Sequence, residues 1–559
     1  MAVSPPNPAL VTQRAVRPLP RVALWLLCAA YVLPGLFGRD PWKNADVTAF
    51  GYMAAIAQGH TPWLSPTVGG LPADAALLPY WVGALSIQAF GAWLGPALAA
   101  RLPFALLLVV VLLLTWYAAY HLARTEAAQP LPLAFGGEAN PVDYARAIAD
   151  GAVLALVACL GLLQLGHETT PELVQLAAAA GWAYALAAAP WRGAPARASA
   201  LIALPALAAS GAPSIAMALA ALGVLICRAS TYAGARRLLP WILVAAGVAA
   251  LTATALGAWG WRVDRDWSMD TAQDLARLLV WFTWPAGPLA LWTIWRWRSQ
   301  LSDRHIAVAL GGAAVSVLAC AAMGGSDRAL MLGLPSLAIL AAFALPTLQR
   351  SSAAAIDWFS VCFFTIFAAV IWVVYVSIHT GVPAQPALNI ERLSPGFPRQ
   401  TSVLALTLAT LASLAWLWLV RWRSGRSHHP LWKSLVLPAS GVALCWLLVM
   451  TLLLPALDHA RSDRSLVQRI ARHVRAGACV AAPDVPRAQV AALEQFGALR
   501  VDARASATSS DCTYLLRLDH GGPSAAPPAP WRLLARERRQ IRDDEVMTLY
   551  ARTHDAAHR

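Results

Sequence analysis

Long apolar runs recur along the chain, separated by short stretches where Arg, Pro, Gly and Asp collect. They fall at 21–37, 102–122, 148–165, 172–190, 198–210, 213–228, 240–259, 276–295, 305–323, 329–348, 356–378, 401–420 and 434–455. About 20 apolar residues in a helix cross roughly 30 Å of hydrocarbon, so the pattern predicts thirteen membrane-spanning helices. Two further apolar stretches, 45–57 and 78–93, lie inside the polar-flanked region 38–101 and read as amphipathic helices resting in the membrane interface. After Leu457 the pattern changes. Helical periodicity at 462–476 and 486–496 alternates with strand-like runs at 479–482, 499–503, 513–518 and 531–550, and 521–530 is a Pro/Ala loop. The fold class is therefore an all-α polytopic membrane protein with a small C-terminal α/β domain. Its expected divisions are a segment 1–20, a core 21–457 that includes the first outer loop 38–101, and a domain 458–559.

Composition agrees with the pattern. The 559 residues are 58% hydrophobic and only 13% charged, about half the charge of a soluble domain. Disorder, collagen and a disulfide-dense secreted scaffold are excluded. The net charge of +14 does not call for nucleic acid, because basic residues gather at span ends, as the positive-inside bias requires. Starting from a cytoplasmic N-terminus, Arg124, Arg192, Arg197, Arg228, Arg236, Arg237, Arg296, Arg298, Arg304, Arg350, Arg421, Arg423 and Lys433 all fall on the inner side. Thirteen spans then leave the C-terminal domain outside. Six of the eight cysteines lie in or against spans; Cys479 and Cys512 remain in the tail, where an oxidising compartment favours a disulfide.

Candidate chemistry sits at the outer face. The first loop opens Gly38-Arg39-Asp40-Pro41-Trp42-Lys43-Asn44-Ala45-Asp46, and Asp46 falls at a helix start, where it serves either as a cap or as a base facing an arriving headgroup. The third span ends in His167-Glu168-Thr169-Thr170-Pro171-Glu172, either a solvated turn or a functional cluster. Arg262, Asp264, Arg265, Asp266, Asp327, Arg328, Glu391 and Arg392 lie on the same side. Arginine forks match phosphate oxygens. No P-loop, dinucleotide fingerprint, zinc spacing or nucleophile elbow is present.

The first loop also carries a family resemblance. Arg39-Asp40-Pro41-Trp42 through Asp46, Gly59, Trp63-Leu64-Ser65-Pro66, Gly70, Pro79-Tyr80-Trp81 and Ala100-Arg101-Leu102-Pro103 resemble the first periplasmic loop of the GT-C membrane glycosyltransferases. The nearest branch holds the aminoarabinose transferases of lipid A and the protein O-mannosyltransferases. The resemblance implies transfer of a sugar from a polyprenyl-phosphate donor to lipid A, another envelope glycan or a protein. It implies Asp46 as base with Asp40 in reserve, and Lys43, Arg262, Arg265 and Arg328 as phosphate contacts. His167, Glu168 and Glu172 would order the acceptor or a divalent cation; no other cofactor is implied. Ala45 occupies the place of the family's first loop acid, and Ala75-Ala76-Leu77-Leu78 replaces its Glu-Lys-Pro cluster. A non-catalytic envelope assembly factor and a transporter of lipid-linked sugars are the alternatives. Span middles nearly devoid of ionisable residues favour chemistry at one face over translocation.

Overall fold

A computed structural model describes residues 8–42, 44–133, 136–260, 263, 268–393, 396–398, 400–424, 430–506, 510–520, 530–538 and 545–553. The segment before the first helix is tucked under the bundle, with Ala9, Val11 and Val16 buried and Thr12 bridged to Glu138. There follow α1 (Arg21–Val32), α2 (Asn44–Ala57), a two-stranded hairpin of β1 (Thr67–Val68) and β2 (Leu71–Pro72), α3 (Leu77–Leu94) and α4 (Pro96–Ala123). Proline at the first turn starts α4, α5 (Pro141–Ala158), α7 (Pro171–Ala188) and α9 (Pro213–Ala229), where its missing N–H costs nothing. Asn140 caps α5 by accepting from the Val142 amide at 3.0 Å. Between and after these come α6 (Leu160–Leu165), α8 (Gly193–Ala209), α10 (Ala233–Arg236), α11 (Leu239–Ala255), α12 (Met269–Phe282) and α13 (Ala286–Arg296). The bundle is completed by α14 (Arg304–Ala322), α15 (Asp327–Met331), α16 (Leu334–Ala344), α17 (Arg350–Thr380), α18 (Ala384–Leu393), α19 (Val403–Ser424), α20 (Lys433–Leu448) and α21 (Leu454–Arg461).

All thirteen apolar runs are helical, but they are not equally long. Among the described residues seven helices are long and apolar enough to cross a membrane, or eight if α12 and α13, bent by 94°, make one span. The count of thirteen therefore leans on shorter helices such as α1, α8, α9 and α16. Conversely α3, expected to lie in the interface, is one of the seven, because it extends to 18 residues without a single charge. The core lies where α4 packs on α3, α5 and α7, and where α5 in turn meets α16 and α20.

The tail adds α22 (Arg464–Ala471), β3 (Cys479–Ala481), α23 (Arg487–Gly497), β4 (Arg500–Asp502), β5 (Tyr514–His520), β6 (Trp531–Arg538) and β7 (Glu545–Arg552). The run expected as a strand over 531–550 is thus two antiparallel strands, β6 and β7. The sheet order is β4-β3-β5-β7-β6, with β3 parallel to both of its neighbours and the rest antiparallel. Cys479 and Cys512 are joined as a disulfide, with Cα atoms 4.7 Å apart.

The position of α2 is the main departure from expectation. It is no amphipathic surface helix: ten of its 14 residues are buried. One side rests on α3 and the other on α23 of the tail. The approach is so close that a Cβ on Gly51 would meet the Ala491 Cβ at 2.5 Å. Gly69, held at φ +55 in the β1–β2 turn, donates its amide to Glu494 at 2.9 Å. With α3 on one side and α23 on the other, apolar residues surround the helix instead of forming one stripe.

Candidate active site

The first loop and the turn after α6 meet at the end of the bundle that carries the sheet. Asp46, in the first turn of α2, is 1% exposed. Its Oδ1 accepts from the Thr169 amide at 2.8 Å and from the Thr169 hydroxyl at 2.6 Å. Among the described residues, the cation within ion-pair distance of Oδ2 is Arg39, whose Nη2 lies 4.0 Å away. Arg39 donates to the His167 carbonyl at 2.7 Å and stacks over Trp42 at 5.0 Å. Arg101 of α4 donates to the Arg39 and Leu36 carbonyls. The loop is therefore held from beneath by two buried guanidiniums.

Next to Thr169 stands an ion-paired triad. Arg328, at the start of α15, donates to Glu168 at 2.6 Å, Glu172 at 3.1 Å and the Thr170 hydroxyl at 3.0 Å. Ser326 caps that short helix by accepting from the Ala329 amide, which fixes where Arg328 emerges. The arginine expected to meet a phosphate is thus taken up by two carboxylates. Among the described residues no group of three or more His, Cys, Asp or Glu side chains is placed to hold a metal ion. The donor set does not suit a resident cation, because the two glutamates share a guanidinium.

His167 and Asp40 are placed differently from expectation. Both ring nitrogens of His167 face backbone, the Leu163 carbonyl at 2.6 Å and the Tyr31 carbonyl at 2.9 Å. Its ring packs on Trp446 and Tyr31. Burial, aided by the Arg39 charge and opposed by the two carbonyls, pushes its pKa down to about 4. His167 thus pins the turn through backbone carbonyls. Asp40 clasps the tail: Arg464 donates to both of its oxygens, at 2.8 and 2.6 Å, and Ser462 donates at 2.7 Å. Burial pushes the Asp40 carboxyl up, but the bonds from Arg464 and Ser462 and the charge of Arg101 hold it below the ordinary value. The Asp40 amide and the Trp42 indole both donate to Asp458.

Lys43, Arg262 and Arg265 lie outside the described residues. Arg39 and Arg101 belong to the first-loop motif but carry no expected role there. A signal for Arg101 was available: it is the only Asp, Glu, Lys or Arg in the 28 residues of α4, and a lone ionisable group in an apolar helix needs a partner or a task.

The bundle, the buried first loop and the appended sheet together make an ArnT-like fold. Similar solved structures include those of ArnT from Cupriavidus metallidurans. In the apo state it matches with a TM-score of 0.58 at 14% identity, over 94% of this chain and 96% of that one. The structure of ArnT bound to undecaprenyl phosphate matches with a TM-score of 0.57 at 14% identity, over 95% of this chain and 96% of that one. No protein-family model matches the chain, and no curated protein matches it by sequence.

Proposed function

We propose that the chain is a glycosyltransferase that moves a sugar from a polyprenyl-phosphate carrier to an acceptor at the outer face of a bacterial inner membrane. The observation that carries this reading is the state of Asp46. One oxygen is fixed by Thr169, and the other has only Arg39 at 4.0 Å among the described residues. A carboxylate oriented through one oxygen and with hydrogen-bonding capacity left at the other is suited to take a proton. In support, the fold is shared with ArnT, and one ArnT structure holds undecaprenyl phosphate.

In the proposed step the acceptor oxygen attacks the anomeric carbon while the bond from that carbon to the phosphate oxygen breaks. The acceptor's proton passes to Asp46, and the electron pair leaves with the lipid phosphate. Glu168 and Glu172, aligned by Arg328, orient the acceptor; Lys43, Arg262 and Arg265 meet the phosphate, where cationic donors stabilise the leaving charge. The lipid A aminoarabinose reaction is one member of this class, and the acceptor here is lipid A, another envelope glycan or a protein. The N-terminus is assigned to the cytoplasm and 458–559 to the periplasm, on the basic residues of the inner turns.

Ala45, standing where the family carries an acid, favours a second reading as a non-catalytic assembly factor. One experiment separates the two. Intact-lipid mass spectrometry compares a deletion strain carrying the wild-type chain, Asp46→Asn or nothing. Transfer predicts a glycosylated species restored by wild type alone; restoration by both, or a lipid profile unaltered by the deletion, rejects it.

A further inference from the structure

A groove of about 750 Å³ runs along α1, between it and α4 and α5. Its two ends differ in chemistry. At the end away from the sheet stand Arg21 and Arg146, both exposed, with Asp150 between them and the bundle. Toward the sheet the wall is wholly apolar, ending in Val32 and Leu33. The direction is fixed by contacts: Asp150 accepts from the Leu19 amide and the Trp116 indole at the base of α1, while Arg101 reaches the Leu36 carbonyl past its top.

The charges at the base are unevenly matched. Asp150 is 6% exposed and is turned to Trp116 at 2.8 Å and to Leu19 at 3.3 Å. Among the described residues Arg21 has no carboxylate within ion-pair distance, and Arg146 has only Asp143 at 3.8 Å. Two guanidiniums thus crown an apolar trough. At about 1.5 Å per residue the twelve residues of α1 span about 18 Å, close to one leaflet's share of a roughly 30 Å hydrocarbon core. Val22, Trp25 and Leu26 of α1 are more than 60% exposed, so the helix offers lipid a surface as well as a trough.

We propose that this groove is a binding site for an anionic glycerophospholipid of the leaflet opposite the Asp46 cluster, with an acyl chain in the trough and the phosphate between Arg21 and Arg146. The shape fits one chain of one leaflet, and the charge fits an anionic headgroup better than a zwitterionic one. The inference rests on the chain crossing a membrane and is independent of the transfer reaction.

The test uses the full-length protein in non-ionic detergent, with phosphatidylglycerol or phosphatidylcholine added and retention read by native mass spectrometry. Phosphatidylglycerol is expected to be held in preference. Each basic residue near a membrane surface contributes enough that its loss costs about 5-fold, so Arg21→Gln with Arg146→Gln should cut that preference about 25-fold. Arg236→Gln with Arg237→Gln, elsewhere on the chain, should leave it intact. Ala29→Trp, which fills the trough, should lower retention of both lipids. Equal retention of the two lipids by the wild type overturns the proposal. So does an equal loss from the Arg236/Arg237 pair, and so does displacement of phosphatidylglycerol by undecaprenyl phosphate, which would assign the groove to the sugar carrier. If a variant fails to accumulate, the wild-type comparison and the displacement decide alone.

Discussion

Asp40 and Asp46 leave the same loop, both are buried, and both are bonded to groups far away in the chain. They nevertheless do opposite things. Both oxygens of Asp40 are taken by Arg464, with Ser462 adding a third donor, so the carboxylate is spent on holding the tail against the bundle. Asp46 is fixed through one oxygen only, and its cation stands at 4.0 Å. A carboxylate can accept about four hydrogen bonds. What separates a clasp from a candidate base is therefore the capacity left over, which burial alone does not reveal.

The largest effect should come from Asp46→Asn. The amide keeps the size and can still bond Thr169, but loss of a general base costs about 10²–10⁴-fold in rate. The glycosylated acceptor should vanish while the protein accumulates normally. A matching loss in Asp40→Asn would erase the distinction between the two residues.

The next largest concerns the tail that Asp40 holds. The disulfide closes a sequence separation of 33 residues, for which the chain-entropy estimate is about 3–4 kcal/mol. Cys479→Ser with Cys512→Ser should lower the melting midpoint and open the tail to limited proteolysis.

Arg328→Gln asks whether the triad is structural or chemical. Glu168 is 2% exposed and would lose its cation, while Arg328 itself keeps 19% exposure. The cost should lie near the lower end for a broken buried pair, about 3 kcal/mol. A drop in melting midpoint without loss of transfer per folded molecule would remove Glu168 and Glu172 from the chemistry.

Asp40→Asn should be the mildest. Arg464 is 46% exposed, so solvent screening reduces the pair to about 1 kcal/mol. The same clasp should respond to acid. A carboxyl held below its ordinary value of 3.8 contributes stability above that value and loses it as pH falls through the folded one. After correction for the intrinsic amide exchange rate, protection over 464–471 should therefore be constant near neutrality and should fall only below about pH 4.

Helical runs were legible because apolar content is a local property. The same locality explains the rest. The burial of α2 depends on α23, more than 400 positions further on, and no periodicity within 45–57 reports that partner. His167 was read with the site because a histidine beside two acids suggests chemistry. Its ring turns inward because Tyr31 and Trp446 close over it, and those contacts are invisible in the string 167–172. Glu168 and Arg328 were both named, but their pairing depends on how α15 meets α6 and α7. Asp40 and Asp46 were ranked from the neighbouring proline and the helix start; nothing in the loop itself announces Arg464.

The clasp also has a consequence for biosynthesis. Asp40 waits for a partner 424 positions later in the chain. At about 5–20 residues per second, a ribosome takes roughly 20–85 s to reach it. During that interval α2 is already made while the tail helix that covers its second face does not yet exist. A nascent chain that stalls late would display this apolar helix to proteases and chaperones, and the arrival of Arg464 and α23 would withdraw it.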